Sequence, residues 1–306
     1  MMRFLYLLES VRVPILNEFM LLVTQLGEET AFLVAALILF WCIDKYKGYY
    51  VLTVGFIGTL TNQFLKLLFR IPRPWIVDEK FTILEQAREA ASGYSFPSGH
   101  TQSAVGTFGA IAYAVKNRWV RYLCVSAAIL VAFSRMYIGV HTPMDVFVSA
   151  ALACLLVVVM KPLVLENFKR AFPWIFGAML TASIAFLCYV EFYKFPADVD
   201  AHNLASGIKN AYTLFGCLIG LLVVYIVDEK WLSFTTKAVW WAQALKVIGG
   251  LALVLIVKSG LKTPLNSLLG DSVGRSVRYF LIVVFAGVLW PLTFKFFSKL
   301  GVKNER

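Results

Sequence analysis

The stretch HTPMDVFVSAALACLLVVVM, residues 141–160, joins a polar beginning to a long apolar run. From Pro143 to Met160 it contains a single charged residue, Asp145, and its length approaches the roughly 20 apolar residues that cross a bilayer as a helix. Thr142, followed by a proline and by an aspartate at the third helical position, is typical of a helix start. The stretch therefore predicts a membrane-spanning helix that begins next to His141.

Runs of this kind recur along the whole chain. Of its 306 residues, 59% are hydrophobic and 15% are charged, whereas about a quarter of the residues of a soluble domain are charged. The mean hydropathy is +0.74. We therefore predict an all-α fold, a polytopic bundle of about nine membrane-spanning helices. The predicted spans are Thr30–Ile43, Tyr50–Phe69, Ser98–Val115, Trp119–Ser134, Pro143–Met160, Pro173–Tyr193, Ala211–Val227, Ala238–Val257 and Tyr279–Phe294.

The sequence predicts three regions. Residues 1–29 contain short apolar pieces broken by Arg12, Pro14 and Glu18, which is typical of an N-terminal interfacial segment. Residues 30–165 carry all the motifs described below, and residues 166–306 form a C-terminal transmembrane region of unknown role. The five cysteines lie in or beside apolar runs without a C-x-x-C pair, so we interpret them as buried hydrophobic residues.

The net charge of +11 has two explanations. It would suit nucleic acid or anionic lipid, but Lys and Arg concentrate in alternate short loops such as DKYKG (44–48) and KNRWVR (116–121). An excess of basic residues marks the cytoplasmic loops of membrane proteins. We therefore predict an integral membrane protein of a bacterial-type cell membrane, with the N-terminus outside, the C-terminus in the cytoplasm and no nucleic-acid partner.

Three groups of polar residues fall on the predicted outer side. In KLLFRIPRP (66–74), Lys66, Arg70 and Arg73 share one helix face while the helix lasts. A lysine inside an apolar run is costly at mid-membrane, and snorkelling to the interface is an equally good explanation of Lys66 or Arg70 alone. The basic residues by themselves therefore leave a binding role open.

The second group is FPSGH (96–100), at the start of another apolar run. Free N–H groups at a helix start, with Gly99 allowing close approach, make an anion site, and His100 could donate a proton there. The alternative is an ordinary cap, with Ser98 as N-cap and an interfacial histidine.

The third group is SRMYIGVHTPMD (134–145). Its histidine, His141, precedes a carboxylate, Asp145, by four residues, a spacing at which the carboxylate can hold one tautomer of the ring. Together the three groups supply cations, a glycine-flanked helix start, two histidines and an orienting carboxylate. This inventory suits phosphoryl transfer.

K-x6-R-P (66–74), P-S-G-H (97–100) and S-R-x5-H-x3-D (134–145) resemble the three signatures of the type 2 phosphatidic acid phosphatase (PAP2) superfamily. The resemblance covers about residues 30–165. SRMYIGVH followed by MDV also resembles the sphingoid-base phosphate phosphatase branch, although that branch typically has threonine at the position of Gly99.

The resemblance implies a role for each matching residue. His141 attacks phosphorus and forms a phosphohistidine, Asp145 orients it, and His100 protonates the leaving oxygen. No metal or other cofactor is implied, and nothing is carried over to Arg70. The third histidine, His202, matches no motif and is interpreted as loop decoration, with contact to a lipid headgroup as the alternative. The residues implied to bind the substrate phosphate are Lys66, Arg73, Ser98, Gly99 and Arg135.

The leading hypothesis is thus a membrane phosphatase for a lipid phosphomonoester or diphosphate, with an extracytoplasmic active site. A phosphotransferase of the same mechanism and a lipid-binding or transport protein that retains the motifs are the alternatives. The identity of the lipid and the oligomeric state stay open at this stage.

Overall fold

The computed structural model describes residues 1–88 and 91–300, and every regular element within these residues is helical. The predicted all-α class is confirmed. The α-helices are α1 (Met2–Ser10), α2 (Pro14–Gln25), α3 (Glu29–Ile38), α4 (Lys45–Phe69), α5 (Pro74–Val77), α6 (Gly99–Ala114), α7 (Arg118–Tyr137), α8 (Pro143–Lys161), α9 (Phe168–Phe192), α10 (Ala201–Val227), α11 (Trp240–Gly260), α12 (Lys262–Leu269), α13 (Asp271–Val284) and α14 (Phe294–Phe297). Turns of π-helix extend several of them, at Leu39–Ile43, Pro162–Glu166, Asp228–Leu232 and Phe285–Leu289, and short 3-10 turns lie at Glu85–Ala87 and Pro291–Thr293.

Within the described residues, seven helices are long and apolar enough to cross a membrane, and an eighth span arises if α2 and α3, bent by 52°, act as one. Two predicted spans explain why the predicted count of about nine is higher. Thr30–Ile43, which forms α3 and the π-helical turn after it, counts as a span only together with α2. The predicted span Ser98–Val115 forms α6, which has 16 residues and is about 24 Å long, short of the ~30 Å hydrocarbon core. The predicted regions 1–29, 30–165 and 166–306 stay predictions.

The chain forms two compact units. The first contains Met1–Ala35, Tyr50–Phe168 and Phe192–Gly207, and the second contains Ala36–Tyr49, Lys169–Glu191 and the chain from Ile208 onward. In the first unit α6 packs against both α7 and α8, and α2 packs against α7.

Helix starts in the first unit have the caps that the sequence predicts. The Ser98 side chain accepts from the backbone N–H of Thr101 at the start of α6. Thr142 and Asp145 form a reciprocal capping box at the start of α8. Each cap satisfies backbone N–H groups that have no partner inside the helix, which fixes where α6 and α8 begin.

Helices α4 and α6 run antiparallel in close contact. A Cβ at Gly58 would lie only 2.2 Å from Nε2 of Gln102, and a Cβ at Gly106 would lie 3.4 Å from the Val54 side chain. A larger residue at position 58 would have to displace the end of the Gln102 side chain. The same register brings the C-terminal part of α4 to the start of α6, where Asn62 faces Gly99.

The second unit is held around a fully buried lysine, Lys246 of α11. Its Nζ donates to the carbonyl oxygen of Trp41 at 2.7 Å and to that of Thr236 at 3.3 Å, and it lies 4.1 Å from the Phe294 ring centroid. The indole of Trp41 donates to the carbonyl oxygen of Ala286 at 2.9 Å. Lys246 thus joins α11 to the π-helical turn Leu39–Ile43, and Trp41 joins that turn to the π-helical turn Phe285–Leu289.

Candidate active site

The three polar groups of the sequence meet at one end of the first unit. Helix α4 and the segment after it supply Lys66 and Arg73, the start of α6 supplies Ser98 to His100, the end of α7 supplies Arg135, and the start of α8 supplies Asp145. Ser98 N–H donates to the Asp145 carbonyl oxygen at 3.2 Å, which joins two of these helix starts directly.

Arg73 is the most extensively bonded of the three buried basic residues at this site. Its Nη1 donates to the Val140 carbonyl oxygen at 2.9 Å and lies 3.0 Å from Nε2 of His141. Its Nε and Nη2 donate to the carbonyl oxygens of Gly93 and Ser92 at 3.1 and 2.9 Å. These bonds fix the plane of the guanidinium beside the His141 ring.

His141 can be assigned a tautomer from this contact. A guanidinium has donors only, so Nε2 of His141 must accept and the ring proton of the neutral imidazole lies on Nδ1. Nδ1 lies 3.5 Å from Oδ2 of Asp145, longer than a hydrogen bond, and catalytic hydrogen bonds are often long before substrate binds. The Nε2 lone pair of His141 therefore points toward the guanidinium of Arg73.

Asp145 is itself held in place. Its Oδ2 accepts from the Ser95 hydroxyl at 2.6 Å and from the Thr142 backbone N–H at 2.8 Å. Because both donors stabilise the ionised carboxylate, Asp145 is suited to orient the ring of His141.

Arg135 and Lys66 complete the basic group. Arg135 Nη1 donates to the Thr24 hydroxyl at 2.6 Å, and its backbone carbonyl accepts from the N–H of His141 at 3.2 Å. Lys66 Nζ donates to the Tyr94 carbonyl oxygen. We call Lys66, Arg73 and Arg135 the cation cluster; their exposed fractions are 6, 4 and 1%.

The start of α6 offers free donors. Among the residues described, the backbone N–H groups of Gly99 and His100 have no protein acceptor. A Cβ at Gly99 would lie 3.8 Å from Oδ1 of Asn62, an ordinary van der Waals distance, so Asn62 lies beside this helix start without crowding it. His100 is half-buried, and its Nε2 is buried without a hydrogen-bond partner. The site thus combines free N–H groups with an imidazole that has no protein partner.

The charge of the site is strongly unbalanced. In the described part of the first unit, Asp145 is the one buried carboxylate, against the three positive charges of the cation cluster. Buried charges are costly unless they are paired. His141, which lies between two of the membrane-spanning helices, responds to this environment. Desolvation first, and then the charges of Arg73 and Arg135, lower the pKa of His141 well below its usual range.

Two singled-out residues lie outside these contacts. Arg70 has φ of 50° and lines, with Arg73 and His202, a cavity of about 670 Å³. His202 is exposed on this cavity. Neither contacts His141, His100 or Asp145 among the bonds described above.

The sequence motifs missed two side chains that position the site. Ser95 bonds Asp145, and Thr24 bonds Arg135. Ser95 lies two residues before Pro97. A hydroxyl residue so close to the P-S-G-H motif could have been proposed as part of the site from the sequence. Thr24 is 111 positions from Arg135, and no local pattern connects them.

Across the described ranges 1–88 and 91–300, no group of three or more His, Cys, Asp or Glu side chains could hold a metal ion. That finding does not test the prediction of metal independence, which stays a prediction.

Known protein families match two parts of the chain. The PAP2 superfamily matches residues 46–169, and the transmembrane extension of PAP2 superfamily phosphatases matches residues 212–304. The first match includes the cation cluster, both histidines of the site and Asp145. No solved structure gave a match.

Several named relatives are similar over part of their length. Undecaprenyl-diphosphatase BcrC of Bacillus subtilis is 32% identical over 33% of this chain and 50% of its own. Phosphatidylglycerophosphatase B of Bacillus subtilis is 30% identical over 49% of this chain and 76% of its own. Sphingosine-1-phosphate phosphatase 1 of Mus musculus is 25% identical over 78% of this chain and 58% of its own. The chain thus spans between half and about three quarters of these relatives. Because the first family match includes all three motifs, and a relative that is 30% identical is matched over 76% of its length, the resemblance is confirmed: the chain belongs to the PAP2 superfamily.

Proposed function

We propose that this protein is an integral membrane lipid phosphatase that releases orthophosphate from a lipid phosphomonoester or diphosphate. The observation that carries the proposal is the buried cation cluster, of which Arg73 lies against Nε2 of His141, with one buried carboxylate, Asp145, beside the ring. A phosphoryl group supplies the missing negative charge, and its oxygens accept from guanidinium, ammonium and backbone N–H donors.

The first chemical step is attack on phosphorus by Nε2 of His141. The P–N bond forms while the bond from phosphorus to the lipid oxygen breaks, and Asp145 stabilises the charge that develops on the imidazole. His100 gives its proton to the departing lipid oxygen. The cation cluster and the free N–H groups at the start of α6 stabilise the equatorial oxygens.

The second step reverses these roles. His100, now neutral, takes a proton from water, and the water oxygen attacks phosphorus as the P–N bond breaks. Orthophosphate leaves, and both histidines return to their starting states. The two steps together require only the side chains of this protein and one water molecule, and all atoms and protons are accounted for.

We also propose that the site faces away from the cytoplasm. Lys116 lies in the basic loop after α6, at the end opposite Gly99, and Asp198 lies on the cavity beside Arg73; both are exposed. In a protein without its five native cysteines, a membrane-impermeant maleimide should label Asp198→Cys in intact cells and Lys116→Cys only after lysis. The reverse pattern would overturn the orientation.

A panel of lipid phosphates tests the function. Purified protein is incubated with an isoprenoid diphosphate, phosphatidylglycerophosphate and sphingosine-1-phosphate, the chemistries named in its relatives, and released orthophosphate is measured. We expect release from at least one lipid, no release by His141→Ala, and normal release by His202→Ala, the matched control outside the site.

The same panel separates the alternatives. Transfer of phosphate to an alcohol acceptor, in place of release to water, would identify a phosphotransferase. Binding of the lipid with no turnover in any member would favour a lipid-binding or transport protein and overturn the proposal.

A further inference from the structure

Asn62 of α4 is a buried amide without any partner. Its side chain is 3% exposed, and within the described residues neither Nδ2 nor Oδ1 makes a hydrogen bond. Buried amides are nearly always bonded, because an unmet buried donor or acceptor costs free energy. An amide with two unmet atoms therefore points to an absent bonding partner.

The position of Asn62 indicates where that partner lies. Asn62 precedes Lys66 by four residues, so the two side chains share a face of α4 and differ in height by one turn. Its Oδ1 is 3.8 Å from the place where a Cβ of Gly99 would stand, and a half-turn of the amide exchanges its oxygen and nitrogen. Asn62 thus lies beside the helix start that carries the free N–H groups of Gly99 and His100.

We propose that Asn62 is a further substrate-binding residue, whose side-chain amide donates a hydrogen bond to the phosphoryl group held at the start of α6. This inference rests on the proposed function. The amide adds a neutral donor on the α4 side of the phosphoryl group, opposite the donors of the α6 backbone. No motif includes Asn62, since the first signature begins at Lys66.

A second buried amide at the same helix pair provides the contrast. Nε2 of Gln102 also lacks a partner, but it is directed at Gly58 and Gly106, one turn farther from the start of α6. Gln102 is 4% exposed, so the two amides match in burial. If an unmet amide here meant only a polar spot in the helix interface, both residues would respond alike to substitution.

The test uses orthovanadate, a phosphoryl analogue, on the purified full-length protein. The variants are Asn62→Leu, which keeps the approximate size of the side chain, Asn62→Asp, which keeps its shape but loses the donor and adds a negative charge, and Gln102→Met as control. Two quantities are measured: the inhibition constant of vanadate against lipid phosphate hydrolysis, and the rise in Tm that vanadate produces. The inhibition constant does not depend on how much of a variant is folded.

We expect Asn62→Leu to raise the inhibition constant about 10- to 100-fold, the usual effect of losing one hydrogen bond to a charged group, and Asn62→Asp to raise it further. Gln102→Met should stay within about twofold of the wild type. An unchanged constant in Asn62→Asp, or equal increases in Asn62→Leu and Gln102→Met, would overturn the inference. If the wild type hydrolyses no lipid, the proposed function is overturned. The rise in Tm that vanadate produces still tests the role of Asn62 in that case.

Discussion

Arg73 Nη1 lies 3.0 Å from Nε2 of His141, while three backbone carbonyls hold the rest of the guanidinium. The guanidinium is therefore fixed in place before any substrate binds, and it marks Nε2 as the nitrogen that carries the lone pair. A planar group with several donors in a fixed arrangement suits a phosphoryl group that changes shape during transfer.

Arg73→Lys should lower kcat/KM by about 10²- to 10³-fold, the usual cost of losing one preorganised donor to a transition state. Lysine keeps the charge but cannot bond three carbonyls and the phosphoryl group at once. The measurement is orthophosphate release at varied lipid concentration. Arg70→Lys changes a second basic residue of the same segment, one that does not contact His141, His100 or Asp145; it serves as control and should stay within about threefold. Equal losses in the two variants would contradict a specific role for Arg73.

Asp145→Asn should lower kcat by about 10²- to 10⁴-fold, because the amide no longer favours the proton on Nδ1 of His141. Ser95→Ala removes one hydrogen bond to the carboxylate and leaves its charge, so the loss should be about tenfold or less. The two losses of kcat, measured at saturating lipid, are then compared. Their ratio separates the effect of the Asp145 charge from the effect of holding the Asp145 side chain in place. A loss in Ser95→Ala as large as that in Asp145→Asn would show that positioning alone explains the effect.

The pH profile should reflect the lowered pKa of His141. Because burial and the neighbouring positive charges disfavour the protonated ring, His141 stays neutral below its usual range. The acid limb of kcat/KM, which reports the free enzyme's base, should therefore lie below about pH 6.5. Arg73→Gln removes one of the charges that lower this pKa, so the acid limb of its residual activity should move to higher pH. Arg70→Gln is the control, and an acid limb that does not move in Arg73→Gln would contradict the electrostatic cause.

Lys246→Met should lower stability without a specific effect on substrate binding. The change leaves the Trp41 carbonyl oxygen, now bonded at 2.7 Å, without its buried donor, which typically costs about 1–3 kcal/mol. Thermal unfolding in detergent should show a lower Tm, while KM of the folded fraction stays unchanged. Lys237→Met is the control because Lys237 lies in the segment just before α11, is exposed, and makes no such buried side-chain contact. A raised KM with an unchanged Tm would place Lys246 in substrate binding instead.

The sequence was sufficient for the parts of the site that are encoded locally. The caps at Ser98 and Thr142 follow from spacing within one turn, and His141 and Asp145 are likewise four residues apart. The motifs therefore predicted the helix starts and the residues that the fold brings to one end of the first unit. The roles of those residues stay predictions.

The rest depended on contacts between distant segments. Thr24 bonds Arg135 across 111 positions, and Asn62 meets Gly99 because α4 and α6 pack closely, with Gly58 against Gln102 and Gly106 against Val54. Hydropathy likewise marked residues 98–115 as a span, yet the helix has 16 residues, since it begins at Gly99 and ends at Ala114. Such features arise from tertiary packing, which a pattern in one segment does not encode.

The central claim is that phosphate passes through a covalent bond to His141. The stereochemical course at phosphorus tests it most directly, with a lipid thiophosphate made chiral by oxygen isotopes and hydrolysed in isotopically labelled water. Two successive in-line displacements, first by His141 and then by water, invert phosphorus twice, so we predict net retention of configuration. Net inversion would mean that water attacks the lipid phosphate directly, and it would contradict a phosphohistidine intermediate.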